Sequence, residues 1–458
     1  MATARGLGIL SLLATAAALP AQWGFVTTAQ PPGDRAGASM VFDVATNRML
    51  LFGGNATSEL WSFANGGWTQ LTPSTTPSPR ARCTLANDPI GGQVLLYGGL
   101  GGSQFALDDT WTWTGTDWQQ VSAAATPGGL YRHAMAFDGA RQVFVVYGGR
   151  YNSWMPGQAL AGTYEFANGT WTTMLPVTSP PGLVDAAMAY LYTQGVMVLF
   201  GGEDPSSTAI GDTWLYDGTT WTQFVGSGPQ PPARVAARMV PVLSRGVVML
   251  SGGLDPVTMQ IFNDTWEFDG TTWREVTGVY AGMYPPRHDF AMAHDIVRDR
   301  VVAFGGEIQN GGLRSDTWEY GAQFQPFGLS CLGSAGAPQL ALGALPRIGT
   351  TCVVDLQNLV PTMPVAAMAV GLSRTQWPLG NLPALLTPLG MTGCRAYTSA
   401  ELIVPLVASA GTASWSFTFP TSASLFGDTY HLQGLSLDPN WNPAWLVTSN
   451  AATLIVGH

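Results

Sequence analysis

MVPVLSRGVVMLSGGLDPVTMQIFNDTWEFDGTTW, residues 239–273, runs an apolar segment into the doublet Gly252-Gly253, then reaches an aromatic at Trp266 and a second Trp seven residues on, at Trp273. Outward from this stretch the doublet recurs, with its first glycine at Gly53, Gly98, Gly148, Gly201, Gly252 and Gly305, at spacings of 45, 50, 53, 51 and 53. A period near fifty repeated six times marks an array of like supersecondary units. Thirteen residues before each doublet stands Met40, Leu85, Met135, Met188, Met239 or Met292. Eighteen before it stand Arg35, Arg80, Arg234 and Arg287, with Leu130 and Leu183 in that slot of units three and four. After each doublet comes Trp61, Trp111, Tyr164, Trp214, Trp266 or Trp318, and the first five units add Trp68, Trp118, Trp171, Trp221 and Trp273.

Each unit reads as four short strands: one through the Met slot, one ending at Gly-Gly, and one for each aromatic. A two-residue turn at Asp269-Gly270 is expected to set Trp266 across from Trp273, and Asp217-Gly218 to do the same for Trp214 and Trp221. Four-stranded units repeated about an axis make a propeller, in which the gap between sheets narrows inward. Residue size should then follow radius, and Ala, Ser and Thr do flank the Met slot while the Trp residues lie on the later strands.

Composition agrees. Charged residues are 10% and hydrophobic ones 46%, with 56 Gly, 32 Pro and 17 Trp. That favours an all-β chain rich in turns and excludes a disordered one. All basic residues are Arg, and the net charge is −10, which argues against nucleic-acid binding. Arg5 followed by an apolar run from Leu7 to Leu19 reads as a signal peptide over residues 1–21, too short for a transmembrane span. A secreted, periplasmic or surface location is expected, where disulfides are permitted.

The Gly-Gly doublets, the following aromatics and the Pro-Arg approach to the first strand resemble the kelch-repeat family over about residues 22–324. The resemblance implies an innermost first strand and closure by a strand from one terminus. Unit six has Gln325 where a second Trp is due, and Trp23 stands twelve residues before Arg35 as Trp68 stands twelve before Arg80. The expected fold is all-β: a six-bladed propeller over residues 22–325, closed by Trp23 to Ala29, then a C-terminal β-sandwich over 326–458. The sandwich is similar to C-terminal domains of secreted bacterial proteins. Four cysteines allow three pairings. Cys331 with Cys394 is the preferred disulfide, and Cys352, within an apolar run, is expected to be buried as a thiol.

Variable loops on a rigid scaffold are where binding residues gather. The loops between second and third strands, and between blades, share one face of the disc. Arg35, Arg80, Arg132, Arg150, Arg234 and Arg287 are candidates for a ring of donors to carboxylates or sulfates, while recurrence in register favours a structural role for the slot, tying loops through backbone carbonyls. Tyr151 and Trp154 of the long third loop are candidate contacts. Asp109, Asp212, Asp264 and Asp316 are read as residues that fix turns. The five His residues share no register, so no metal or other cofactor is expected. The reading is a non-catalytic binding protein for a glycan or an extracellular protein. The alternative, implied by kelch proteins that mutarotate or epimerise sialic acid, is a carbohydrate isomerase with Glu203 or Glu307 as base.

Overall fold

The computed structural model describes residues 22–456 except 90, 104, 124, 152–157, 277–283, 322, 328–329, 332–333, 345, 347–348, 374–375, 378–379, 383, 390, 392–393, 421–428 and 441–442. The apolar leader of residues 1–21 and Trp154 lie outside the described residues. The described residues contain strands and three short 3-10 turns, and no helix is long and apolar enough to cross a membrane. The chain divides into two units, Trp23–Tyr320 and the segment from Gly321 onward. The division falls at Gly321 rather than at residue 326, because Gln323–Phe327 pairs with Leu446–Ile455 in a sheet of the second unit.

Trp23–Tyr320 holds six four-stranded antiparallel sheets among the described residues. The first runs through Ala38–Asp43, Arg48–Gly53, Leu60–Ala64 and Gly67–Leu71. The sixth takes Ala291–Asp295, Arg300–Phe304 and Thr317–Gly321, and its outer strand is Gln22–Val26 from the other end of the chain. The first strands of neighbouring sheets touch all the way round, that of blade one meeting those of blades two and six. Second strands such as Val196–Phe200 are buried on both faces beyond their first residue, since each lies between two neighbouring sheets.

The tryptophans show how one blade is fixed to the previous one. The indole N–H of Trp68 donates to Thr317 Oγ1, that of Trp171 to Thr110, of Trp221 to Thr163, and of Trp273 to Thr213, at 2.9 to 3.0 Å. Each acceptor opens the third strand of the preceding blade. Trp23 does the same to Thr265 at 2.9 Å, so it takes the sixth indole position. Blade one has Leu60 where the others have Thr, and Trp118 Nε1, whose turn it would be, is buried without a partner.

The hairpin register differs from the expected one. Phe268, not Trp266, lies across from Trp273, and Tyr216 lies across from Trp221. The Asp269 carboxylate accepts from the backbone N–H of Thr271 at 2.7 Å and of Thr272 at 2.8 Å, which stabilises a four-residue loop in place of a two-residue one. The rings that meet, Phe268 and Trp273, stack at 4.9 Å.

Both glycines of the doublet have positive φ, as at Gly252 (66°) and Gly253 (108°). A Cβ on Gly252 would stand 2.6 Å from the carbonyl oxygen of Arg287 in the next blade, while the Gly253 N–H donates to that same oxygen at 2.9 Å. The doublet is therefore the joint between blades.

The second unit packs a five-stranded sheet, ordered Gln323–Phe327, Leu446–Ile455, Thr429–Leu437, Val365–Gly371 and Leu402–Val407, with a three-stranded one of Gln339–Ala344, Thr351–Gln357 and Ala413–Thr418. Cys352, Leu356, Met368, Trp415 and Leu432 share its core. Cys331 and Cys394 are joined in a disulfide, and Cys352 is a buried thiol.

Two substitutions test these joints. Thr317→Val removes the acceptor of Trp68 and should cost about 1–2 kcal/mol; combined with Trp68→Phe, which also loses buried ring area, the double variant should lose less than the sum of the two single losses, and fully additive losses in denaturant unfolding would contradict the bond. Gly252→Ala combines a clash with an unfavourable φ and should cost about 3 kcal/mol. Gly66→Ala, also at positive φ but with open space around its Cβ, should cost about 1 kcal/mol. Equal losses at the two glycines would show that the carbonyl contact is unimportant.

Candidate functional site

Just before each first strand, one residue per blade adopts a left-handed backbone: Gly37, Arg82, Arg132, Asp185, Ala236 and Asp289, with φ between 53° and 68°. That conformation turns each N–H toward the preceding blade. The amide of Gly37 donates to Asp289 O, Arg82 to Gly37 O, Arg132 to Arg82 O, Asp185 to Arg132 O, Ala236 to Asp185 O and Asp289 to Ala236 O, at 2.7 to 3.2 Å. Six hydrogen bonds close a ring around the axis. Five of the six residues carry a Cβ and bear the cost of the left-handed region, about 1 kcal/mol or more each.

Because the ring is made by backbone, its side chains are free to carry chemistry. Arg132 Nη1 donates to Asp185 at 2.7 Å in the neighbouring blade. Arg82 reaches past blade one to Asp289, donating at 2.9 and 3.2 Å. Glycine at position 37 makes this possible, since a Cβ there would stand 3.0 Å from Arg82 Cγ. Arg238, at the start of the first strand of blade five, donates to the Phe290 carbonyl at 2.7 Å and lies 3.8 Å from Asp289. These five side chains line one cavity with Ser39, Thr84 and His133. Three guanidinium groups thus face two carboxylates.

The two carboxylates titrate in opposite directions. Burial pushes Asp185 above the usual carboxylate range, with Arg132 opposing it and the charge of Asp289 adding to it. Burial also acts on Asp289, but Arg82, Arg238 and Arg132 outweigh it and hold the group well below that range. His133 is pushed down by burial to about 3, so it stays neutral beside them, and burial pushes the Cys83 thiol up to about 11.

Several expected site residues lie elsewhere. Arg35, Arg80, Arg234 and Arg287 are buried and do not ring the mouth. Arg80 is bidentate to Asp109 at 2.6 and 2.7 Å and donates to the Gly98 carbonyl at 2.9 Å. Arg234 pairs in the same way with Asp264, and Arg287 with Asp316. Arg35 pairs with Glu59 at 2.6 Å. The acid in each case also accepts from the first aromatic of its blade, Trp61, Trp111, Trp266 or Trp318. With their donors directed into the blade, these arginines lock Gly-Gly to the third strand, and Asp109, Asp264 and Asp316 hold an arginine rather than a turn. Where Leu183 replaces the arginine in blade four, Trp214 Nε1 is left buried and unpaired.

Arg150 donates to Glu203 at 2.5 Å, and the pair is mostly buried between blades three and four. Glu203 is thereby committed to a neighbour. Glu307 sits in a short ribbon with Gly312–Leu313, and Tyr151 is 43% exposed; neither lines the mouth cavity. Among the described residues, Arg132 alone of those expected does. Arg82, Asp185, Arg238 and Asp289 escaped the sequence reading, although the six ring residues each fall two places after the Arg/Leu slot of their blade.

Residues 113–306 match the family described as the KLHDC2/KLHL20/DRC7 Kelch-repeats domain. Among solved structures, one titled "Structure of YjhT" is similar at 14% identity and a TM-score of 0.49, over 63% of this chain and 96% of that one. Comparison with curated proteins gives no match.

The opposite titrations give opposite pH effects. A depressed Asp289 contributes stability that is present above the unfolded carboxyl value and lost as pH falls through its folded value. A raised Asp185 contributes stability that is present below the unfolded value and lost as pH rises through its folded value. At pH 7, Asp289→Asn should cost about 2 kcal/mol, whereas Asp185→Asn should be close to neutral. Thermal unfolding of the two variants at pH 7 checks this, and an equal loss in both would contradict the assignment.

Proposed function

We propose, from the match of residues 113–306 to a kelch-repeat family model, that this chain is an exported, non-catalytic recognition protein whose propeller takes an acidic ligand at the channel mouth. The observation that carries the proposal is the excess of guanidinium over carboxylate around a rigid backbone ring. Arg82 and Arg238 are each about three-tenths exposed, and Arg132 Nε has no partner within the protein. Guanidinium forks suit carboxylate and sulfate groups, borne by a glycan or by an extracellular protein. The body around them is acidic, with a net charge of −10 over the whole chain, so an anion is attracted to the mouth and repelled elsewhere. The apolar leader and the Cys331–Cys394 disulfide fit an oxidising location outside the cytoplasm.

A second reading rests on Asp185 and Asp289. Two carboxylates whose protonation is pushed apart can serve as an acid and a base, so a carbohydrate isomerase would use this pair in place of Glu203 and Glu307. Turnover of a reducing sugar abolished by Asp185→Asn, with folding intact, would favour it.

The test of the binding reading is a panel of carboxylated and sulfated glycans and acidic peptides, screened against the full chain and against Arg132→Ala and Arg238→Ala. Each variant should weaken retained ligands about tenfold, and binding should fall as salt is raised through the range where the screening length drops below about 10 Å. Affinity that ignores both the arginines and the salt would rule out the mouth as the site.

A further inference from the structure

The mouth already holds an anion of its own. Asp185, at the ring position of blade four, is 8% exposed and accepts from Arg132 Nη1 at 2.7 Å, and both residues line the mouth cavity. A carboxylate or sulfate that comes to this guanidinium competes with Asp185 for the same donor. Two anions do not share one donor at low cost in a buried place: like charges destabilise each other, and a buried carboxylate stripped of its partner is an uncompensated charge. A proton removes the conflict, because protonated Asp185 is neutral and can itself donate a hydrogen bond.

The surrounding groups single out Asp185 as the one that gives way. Blade two brings Arg82 and the Cys83 thiol to the cavity, blade three Arg132 and His133, blade five Arg238 and blade six Asp289, while blade one adds Ser39 and Met40 and no charge among the described residues. On blade four itself, Glu203 is bonded to Arg150. Asp289 has two guanidinium groups, Arg82 at 2.9 and 3.2 Å and Arg238 at 3.8 Å, whereas Asp185 has Arg132. Burial accordingly pushes Asp185 up, and the arginines hold Asp289 down. His133, pushed down to about 3, and Cys83, pushed up to about 11, keep their protonation through the neutral range.

We propose that Asp185 is a built-in competitor of the acidic ligand: the ligand's anionic group replaces Asp185 on Arg132, the Nη1–Oδ2 ion pair breaks, and the freed carboxylate takes a proton from solvent, so that the mouth binds one anion and one proton together. This rests on the reading of the mouth as an acidic-ligand site and adds its regulation. Ligand is captured as pH falls and released as pH rises. Affinity drops by up to about tenfold per pH unit between the pH at which Asp185 titrates in the free chain and the higher pH at which it titrates beside the ligand.

The test measures binding of inorganic sulfate to the full chain by calorimetry at constant ionic strength, from about pH 5 to about pH 8, where a raised carboxyl titrates and sulfate keeps its charge. Affinity should fall about tenfold or more across the range, and at an intermediate pH buffers of different ionisation heat should show uptake approaching one proton per sulfate. At the alkaline end Asp185→Asn should bind sulfate about tenfold more tightly than the native chain, with the pH dependence gone. If that variant does not fold, proton uptake by the native chain still decides. Sulfate bound with no pH dependence and no proton uptake, or a pH dependence that survives Asp185→Asn, would overturn the proposal and leave the mouth an anion site. No saturable sulfate binding at any pH, or binding that Arg132→Ala leaves unchanged, would overturn the reading of the mouth and this proposal with it.

Discussion

The propeller depends on a single repeated contact, the passage of a backbone N–H from each blade to a carbonyl of the one before it at the channel mouth. Gly37, Arg82, Arg132, Asp185, Ala236 and Asp289 make it six times and return to the start. A circular arrangement has no free end at which to fray, so the loss of any member opens the whole ring. The Gly-Gly doublets add a second set of inter-blade bonds just outside the first, as Gly253 does to Arg287. The indole-to-threonine bonds add a third set near the rim. Blades that would be marginal alone are thus tied to their neighbours at three radii.

The division of labour between backbone and side chain explains how one scaffold offers two unlike cavities. The ring fixes geometry without using any side chain, and the arginines one slot earlier are spent entirely inside their blades. Charge can then be placed at the ring positions according to function. On the mouth side this yields Arg82 and Arg132 against Asp185 and Asp289, joined by Arg238 from just past the ring position of blade five. On the other side the same strands present Phe42, Phe137, Tyr190 and His294 to a cavity with no Asp, Glu or Arg among its lining residues, and Asp299 holds the imidazole from behind.

Much of this was legible in the sequence because it repeats. The doublets, the paired aromatics and the position of Trp23 are periodic, and periodicity is what a single chain can display. The functional ring was not legible for the opposite reason: Gly, Arg, Arg, Asp, Ala and Asp share a backbone conformation and no side-chain property. The recurrence of Arg80, Arg234 and Arg287 already favoured structural work, and what the sequence did not show is that the partners include Asp109, Asp264 and Asp316, read there as residues that fix turns. The hairpin register was misjudged at Asp269-Gly270 because the carboxylate of Asp269 reaches the amides of Thr271 and Thr272 and lengthens the turn. The unpaired indoles of Trp118 and Trp214 mark two places where the repeat drifts, at Leu60 and Leu183.

The most direct measurement of the closed ring is amide hydrogen exchange under native conditions, read at Gly37, Arg82, Arg132, Asp185, Ala236 and Asp289. If the ring holds the propeller together, these six amides exchange at one common slow rate that tracks global unfolding as denaturant is added. Fast or widely differing exchange among them, while the second strands stay protected, would show that the ring opens without the propeller and would contradict the account.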